Sequence, residues 1–244
     1  MAFISDIHGN LEALLAVFKD INNNRSNIDF IYCNGDIVGY YPNPLECIAL
    51  VQKRCEQVIL GNHDEVVTSK NFNEHVTWFN YIAAEALIWT KNRLSKPDAA
   101  NQLHYLEALK TQQDLSIENR KVLLAHGTPE EKWEYFLKDP FIGDFSSKQE
   151  VRLRKWLKKW DLVVIGHTHI PFVYKFRKKV VLNPGSVGQP RDRNPKASYA
   201  IVDIDESAID VEIVRLDYDI NKTCKTLFEA ELNEYLCQRL FKGT

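Results

Sequence analysis

The chain has 244 residues, 45% of them hydrophobic and 26% charged, with a formal net charge of -2. That is the composition of a folded globular protein rather than a disordered or fibrous one, and the length suits one large α/β domain or two small ones. The charge balance excludes the overall basic footprint of a duplex binder, and no apolar run approaches the ~20 residues needed to span a bilayer.

The first apolar run, Ala2-Phe3-Ile4-Ser5, reads as a strand and stops at Asp6. A helical pattern follows over Leu11 to Ile21, with Leu11, Leu14, Leu15 and Phe18 on one face. The alternation repeats: strand Phe30 to Cys33 before Asp36, helix Pro44 to Lys53, strand Val58 to Leu60 before Asn62. Short β-branched runs bounded by glycine read as strands covered on both faces, and β-α-β-α-β order argues for an α/β fold.

Residues 68–118 break the pattern. Phe79, Ile82, Ala83, Ala86, Leu87 and Trp89 recur at helical spacing, Lys96-Pro97-Asp98 interrupts, and a second helical stretch surrounds Leu103 to Leu109. This reads as a helical insertion between core strands, its aromatic stripe either buried packing or a cap over a site. The core then resumes with strand Val122 to Ala125 before His126, helix Ser147 to Trp160, and strand Leu162 to Ile165 before His167. Four later strands, Phe172 to Phe176, Val180 to Leu182, Ser198 to Asp203 and Ile209 to Arg215, point to a second antiparallel or mixed sheet. The tail from Asp219 to Leu240 reads as one helix. Without repeats or a long linker, residues 1–244 count as one domain carrying the insertion.

Basic runs at Arg152 to Lys159 and Lys175 to Lys179 read as solvated faces. Cys33, Cys47, Cys55, Cys224 and Cys237 are odd in number and lack C-x-x-C spacing, which indicates neither a disulfide framework nor a thiolate zinc site. A reducing compartment fits them. Residues 1–5 offer no basic or apolar leader segment, so a cytoplasmic protein is expected.

The strand ends collect Asp6, His8, Asp36, Asn62, His63, His126, His167 and His169, which include five of the seven histidines. Carboxylate, imidazole and amide oxygen suit borderline divalent ions such as Mn, Fe, Zn, Ni or Co. A carboxylate that can bridge, with similar donor sets on either side, is what a pair of ions ~3.5–4 Å apart requires. An isolated Asp-x-His is usually a turn and an isolated Gly-His-x-His a surface loop, but five such motifs in order at strand ends are a site.

Asp6-Ile7-His8-Gly9-Asn10, Gly35-Asp36-Ile37-Val38-Gly39, Gly61-Asn62-His63-Asp64, His126-Gly127 and Gly166-His167-Thr168-His169 resemble the motifs of the calcineurin-like metallophosphoesterases. The resemblance runs from residue 4 to about residue 190. Gly39 to Pro44 and Asn183 to Arg191 are most similar to the small prokaryotic phosphodiesterase and diadenosine-tetraphosphatase-like branch. It implies a four-layer αββα sandwich of two mixed sheets. By motif, Asp6, His8 and His169 would hold one ion, Asn62, His126 and His167 a second, and Asp36 would bridge. A hydroxide between the ions would attack phosphorus in line, and His63 would protonate or stabilise the leaving oxygen.

One departure bears on substrate. The protein-phosphatase branch carries Gly-Asp-x-x-Asp-Arg, whose second aspartate orients the catalytic histidine and whose arginine grips phosphate; here those positions are Gly39 and Tyr40. A protein phosphatase is therefore a poor reading, and nothing evident orients His63. Tyrosine suits a less charged phosphate with an organic group on each side, which implies a small phosphorylated substrate, a nucleotide among the candidates. Arg191 and Arg193 could grip phosphate or be ordinary surface arginines. Tyr40, Tyr41, Trp133 and Tyr135 could stack on a base or pack internally, while His75 and His104 read as structural or exposed. The expected activity is hydrolysis of a phosphodiester or nucleotide pyrophosphate linkage. The alternatives are a phosphomonoesterase, a nuclease, for which the sequence offers only scattered basic charge, or a non-catalytic binding scaffold such as the retromer subunit of this family; the intact ligand set argues against the scaffold.

Overall fold

Strand side chains alternate between two faces, and here both faces are apolar. In the computed structural model, which describes residues 1–25, 28–138, 143–205 and 207–244, Ala2 and Ile4 of β1 (Ala2–Ile4) face one hydrophobic cluster while Phe3 faces another. Ile31 and Cys33 of β2 (Ile31–Cys33) divide from Tyr32 in the same way. Each strand is therefore covered on both sides.

The first sheet takes β1, β2, the short β3 (Gln57–Val58) and two late strands, β9 (Ala197–Ile204) and β10 (Ile209–Leu216), in the order β10-β9-β1-β2-β3. The second takes β4 (Gln112–Ile117), β5 (Arg120–Ala125), β6 (Leu162–Val164), β7 (Phe172–Phe176) and β8 (Lys179–Asn183), in the order β4-β5-β6-β8-β7. Parallel pairing of β2 with β1 and β3, and of β6 with β5 and β8, sits beside antiparallel edges. Phe3, Tyr32, Val122, Leu124, Val164 and Val202 fill the space between the two sheets.

Helices close the outer faces. Leu14, Val17 and Phe18 of α1 (Leu11–Asn24) and Ile48 and Val51 of α2 (Pro44–Arg54) cover the first sheet, and Leu153, Trp156 and Leu157 of α7 (Ser147–Lys159) cover the second. The result is the expected four-layer sandwich of two mixed sheets. The start of α1 is fixed by Asn10, whose side chain accepts from the amide of Ala13 at 3.3 Å, leaving the chain after β1 to turn tightly through residues 5–9.

The helical stretch expected over 68–118 is shorter than the sequence implied. Helices α3 (Asn62–Thr68), α4 (Phe72–His75), α5 (Tyr81–Leu94) and α6 (Ala100–Glu107) lie between β3 and β4, but Gln112 to Ile117 is strand, paired antiparallel with β5. Its alternating half-exposed pattern is that of an edge strand with polar side chains, which apolar periodicity does not reveal.

The tail also differs. It forms two helices, α8 (Ile220–Glu229) and α9 (Tyr235–Lys242), because Glu231 takes a left-handed φ of 56° and the Asn233 side chain accepts from the Tyr235 amide at 3.0 Å. A disulfide joins Cys224 to Cys237 across the two helices, contrary to the expectation of no disulfide. Their separation of 13 residues gave no signal as long as the tail was read as one straight helix. Cys33, Cys47 and Cys55 are free. No helix among the described residues is long and apolar enough to cross a membrane.

Candidate metal centre

Parallel strands bring their carboxyl ends to one edge, where α/β folds gather ligands. Asp6 and His8 follow β1, Asp36 follows β2, His126 follows β5, and His167 and His169 follow β6, while Asn62 opens α3. Five of these residues hold left-handed backbone: Asp6 at φ 54°, His8 at 54°, Asp36 at 53°, His167 at 67° and His169 at 61°. Such conformations cost roughly 1–3 kcal/mol each and persist only where neighbours over-determine them. Here the amides of Ile7 and His8 both donate to the Asp36 carbonyl, at 2.8 and 2.9 Å, and the Gly188 amide donates to the Asp6 carbonyl at 3.0 Å.

The buried side chains form two groups that share Asp36. Asp6, His8, Asp36 and His169 make one, and Asp36, His126 and His167 the other, with the ligand atoms of each group within 4.8 Å of one another. His169 Nε2 lies 3.3 Å from Asp6 Oδ1, and His8 Nε2 3.6 Å from Asp36 Oδ2. In the second group His126 Nε2 lies 3.2 Å from Asp36 Oδ2 and 3.1 Å from Asn62 Oδ1.

The outer nitrogens of these rings decide what the inner ones offer. Nδ1 of His8 meets the Val38 carbonyl at 3.2 Å, Nδ1 of His126 the Asn34 carbonyl at 2.8 Å, and Nδ1 of His169 the Gln189 carbonyl at 2.6 Å. A carbonyl can only accept, so each Nδ1 carries hydrogen and each ring, in its neutral form, turns a lone pair inward from Nε2. His167 is reversed: its Nε2 donates to the Trp133 carbonyl at 3.0 Å, leaving Nδ1 as the acceptor. The inward Nε2 atoms of His8 and His169 stand 3.0 Å apart, and two lone pairs cannot face each other at that distance without a cation between them. The donor set therefore fits a pair of divalent ions of borderline type, Mn, Fe, Zn, Ni or Co.

Titration keeps three of these rings neutral, as metal-binding donors must be. Burial, against the pull of Asp36, holds His8 well below the usual imidazole range, and burial joined by the charge of Arg191 does the same to His169. His167 is lowered to about 4 by burial and by His126. Burial also opposes charge on His126, but the Asp36 carboxylate outweighs it and raises the ring to about 10. Asp36 itself falls well below the carboxylate range because His126, His63 and His8 together overcome its burial.

His63 lies beside this centre without joining either group. Its ring centroid is 4.6 Å from that of His8 and 5.0 Å from that of Phe79, and its amide donates to Asp36 Oδ1 at 2.8 Å. Nδ1 is buried and has no hydrogen-bond partner. Gly39 explains why: its backbone, at φ 139°, lies so close that a Cβ would stand 2.5 Å from His63 Nδ1 and 2.9 Å from His8 Nδ1. Asp64 does not orient His63 either. Its carboxylate accepts from the amides of Ile37, Val38 and Gly61 at 3.2, 3.0 and 3.1 Å, binding the loop after β2 to the start of α3, and burial together with Asp36 raises it to about 7.

Gly39→Ala should therefore displace two imidazoles at once. Changes just outside a metal's ligands typically cost about 10- to 100-fold in affinity, and a loss of that size in metal titrations is expected. Unchanged binding would show that the rings have room to move.

Above the ligands opens a pocket of about 410 Å³ lined by Tyr40, Asn62, His63, Trp78, Phe79, Asn80, Trp133, Tyr135, His167, Arg191 and Arg239. The segment between α4 and α5 supplies Trp78, Phe79 and Asn80, so the helical stretch reaches the site. Arg191 donates to Tyr40 Oη at 3.1 Å, Tyr135 Oη at 3.2 Å and Gln189 Oε1 at 3.2 Å. Arg193 is exposed and absent from the lining; the chain turns there at φ 62° and its amide binds the Gly243 carbonyl at 2.8 Å. Tyr41 is wholly buried packing, His104 is exposed, and His75 is half-buried against Trp78. A larger groove of about 1070 Å³ gathers Arg154, Lys155, Lys158, Arg177, Lys178 and Lys179 from the two basic runs, and contains none of the site residues.

Residues 1–207 match the sequence profile of the calcineurin-like phosphoesterase superfamily domain. The chain belongs to this superfamily. A curated relative, an uncharacterized protein of Methanocaldococcus jannaschii, is 39% identical over 260 residues, covering 100% of this chain and 98% of that one. The crystal structure of a metallophosphoesterase from Sphaerobacter thermophilus is similar with a TM-score of 0.78 at 30% identity, covering 100% of this chain and 98% of its own. A hypothetical protein from Pyrococcus horikoshii shares the fold at a TM-score of 0.85 and 21% identity, again covering 100% and 98%. Membership makes the two buried clusters of this phosphoesterase a site suited to two divalent ions.

Sequence reasoning did not find several residues that shape the centre. Asn34 bridges the sheets, its side chain donating to the Ala125 carbonyl at 2.7 Å while its own carbonyl holds His126. Gln189 connects His169 to Arg191. Arg239 arrives from α9, far from every motif.

Proposed function

We propose that this metal-dependent phosphoesterase hydrolyses a phosphodiester or nucleotide pyrophosphate linkage in a small phosphorylated molecule. The observation that carries the reading is the wall of the pocket. Tyr40, Trp78, Phe79, Trp133 and Tyr135 surround the space in front of His63 and His167, with the Trp78 and Trp133 rings 5.4 Å apart and the Tyr135 and His167 rings 4.1 Å apart. A bare phosphate gains nothing from aromatic walls, whereas a base or another flat organic group does.

In this reading Asp6, His8 and His169 hold one ion, Asn62, His126 and His167 the other, and Asp36 is common to both. Two bound ions supply a hydroxide from water at neutral pH and neutralise charge on the phosphoryl oxygens. His63 stands at the pocket edge as a neutral ring, lowered to about 4 mainly by burial, and so acts by donating an N–H to the leaving oxygen rather than as an imidazolium acid. Arg191 binds phosphate, fixed by Tyr40, Tyr135 and Gln189. Bringing all these residues together supports catalysis over a binding scaffold. The setting we propose is cytoplasmic, with three free cysteines in its favour and the Cys224–Cys237 bond against it.

A phosphomonoesterase is the second reading, and Arg191 favours it. Tyr40 replaces the phosphate-gripping arginine in sequence, but Arg191 reaches the Tyr40 hydroxyl and restores a guanidinium to the pocket. Preference for diesters thus rests on the aromatic walls, not on a missing cation. Metal-loaded protein is expected to hydrolyse bis-p-nitrophenyl phosphate or diadenosine polyphosphates faster than p-nitrophenyl phosphate or phosphoserine peptides, with Mn among the effective ions. Turnover of monoesters alone would sink the proposal.

A further inference from the structure

Several arginines of this chain are neutralised by a carboxylate. Arg25, Arg93, Arg152, Arg154 and Arg215 each pair with a side-chain carboxylate. Arg191 and Arg239 do not, although both line the pocket above the metal centre. Arg191 has only neutral partners, and its Nε is buried with none. Arg239 gives its Nε to a main-chain oxygen of Thr244 at 2.7 Å, which at a free chain end belongs to a carboxylate, and its two terminal nitrogens make no hydrogen bond among the described residues.

The two guanidinium groups share one aromatic ring. Arg191 lies 6.0 Å and Arg239 5.6 Å from the Tyr40 centroid. Like charges drawn to one place repel, and a cation-π contact recovers only part of that cost. Among the described residues, no aspartate or glutamate lines the pocket to compensate. Two divalent ions against Asp6 and Asp36 would add further positive charge below. An arrangement of this kind is relieved by a ligand with more than one negative group.

We propose that Arg239 forms, beside Arg191 and Tyr40, a second phosphate subsite next to the metal centre, so that the natural substrate carries linked phosphates and not a lone diester. This rests on the phosphoesterase reading of the centre and narrows it to the pyrophosphate-containing class. Ions held by the metal ligands would take the scissile phosphate together with Arg191, Arg239 takes its neighbour, and the aromatic wall takes the organic group. The structure also holds Arg239 in place: Leu236, Cys237 and Leu240 of the same helix are buried against α8 and Tyr41, and the Cys224–Cys237 bond lies two residues away.

Calorimetric titration of metal-loaded protein with inorganic pyrophosphate and with orthophosphate tests the subsite without turnover. Orthophosphate needs only the metals and Arg191, while pyrophosphate reaches both subsites. In Arg239→Gln the preference for pyrophosphate over orthophosphate should fall about 10- to 100-fold, the size of a lost charge-assisted hydrogen bond. Arg239→Lys, which keeps charge but not the planar fork, should recover part of it. An unchanged preference, or an equal loss for both anions, would overturn the subsite. Wild-type protein that holds two metals and binds neither anion would overturn the phosphoesterase reading as well.

Discussion

Asp36→Asn should lose most of its bound metal and about 10³-fold or more of its turnover, because a shared ligand supports both ions and the charge stabilisation each provides is worth several kcal/mol. The substitution isolates charge from shape. Asparagine is nearly isosteric and tolerates the left-handed φ of 53° found there, and its Oδ1 can still accept from the His63 amide. What it cannot do is present a second anionic oxygen to ions held beside His126 and His8, whose Nε2 atoms lie 3.2 and 3.6 Å from Oδ2. Metal analysis, thermal melting and kinetics on one sample separate the possibilities. A folded variant with two equivalents of metal and normal rates would remove Asp36 from its bridging place.

His63→Ala should give the opposite signature, with metal retained and rate lost by roughly 10²- to 10⁴-fold, the usual worth of a group that stabilises a leaving oxygen. Substrates with good leaving groups should lose least. The pH behaviour distinguishes the hydrogen-bonding role from proton donation. Burial lowers the His63 pKa to about 4, so the ring is neutral and active above that value and gains charge only as pH falls through it. Bound cations would push the pKa further the same way. The ratio of wild-type to variant rates should accordingly stay flat between about pH 5.5 and 8. A ratio that falls with rising pH near neutrality would show that an imidazolium carries the step, and collapse of metal content would make His63 a ligand.

The buried cluster was legible because its residues follow short apolar runs, and strands covered on both sides announce themselves by composition alone. Ala2 to Ile4 and Leu162 to Val164 have no polar face to confuse the pattern. Arg191 was found through its motif, but its pairing with Tyr40 across 151 positions was not, and that contact changes the argument about substrate. Elements without apolar periodicity were misjudged. Strand β4 hides behind Gln112, Gln113 and Asp114, and the break in the tail depends on Glu231 taking a left-handed turn that glycine usually signals. Arg239 and the disulfide followed from that break, so both were out of reach.

The left-handed backbone at Asp6, His8, Asp36, His167 and His169 places this site in conflict with selection for stability. Each strained residue costs roughly 1–3 kcal/mol, against a net stability of about 5–15 kcal/mol for a typical domain. Glycine would relax the backbone at any of them and remove the side chain from the centre. A lineage released from the need for metal would drift toward such replacements at these five positions first, and a thermostability screen run in chelator would retrace that path. The presence of aspartate and histidine at all five therefore answers a demand that folding alone would not make.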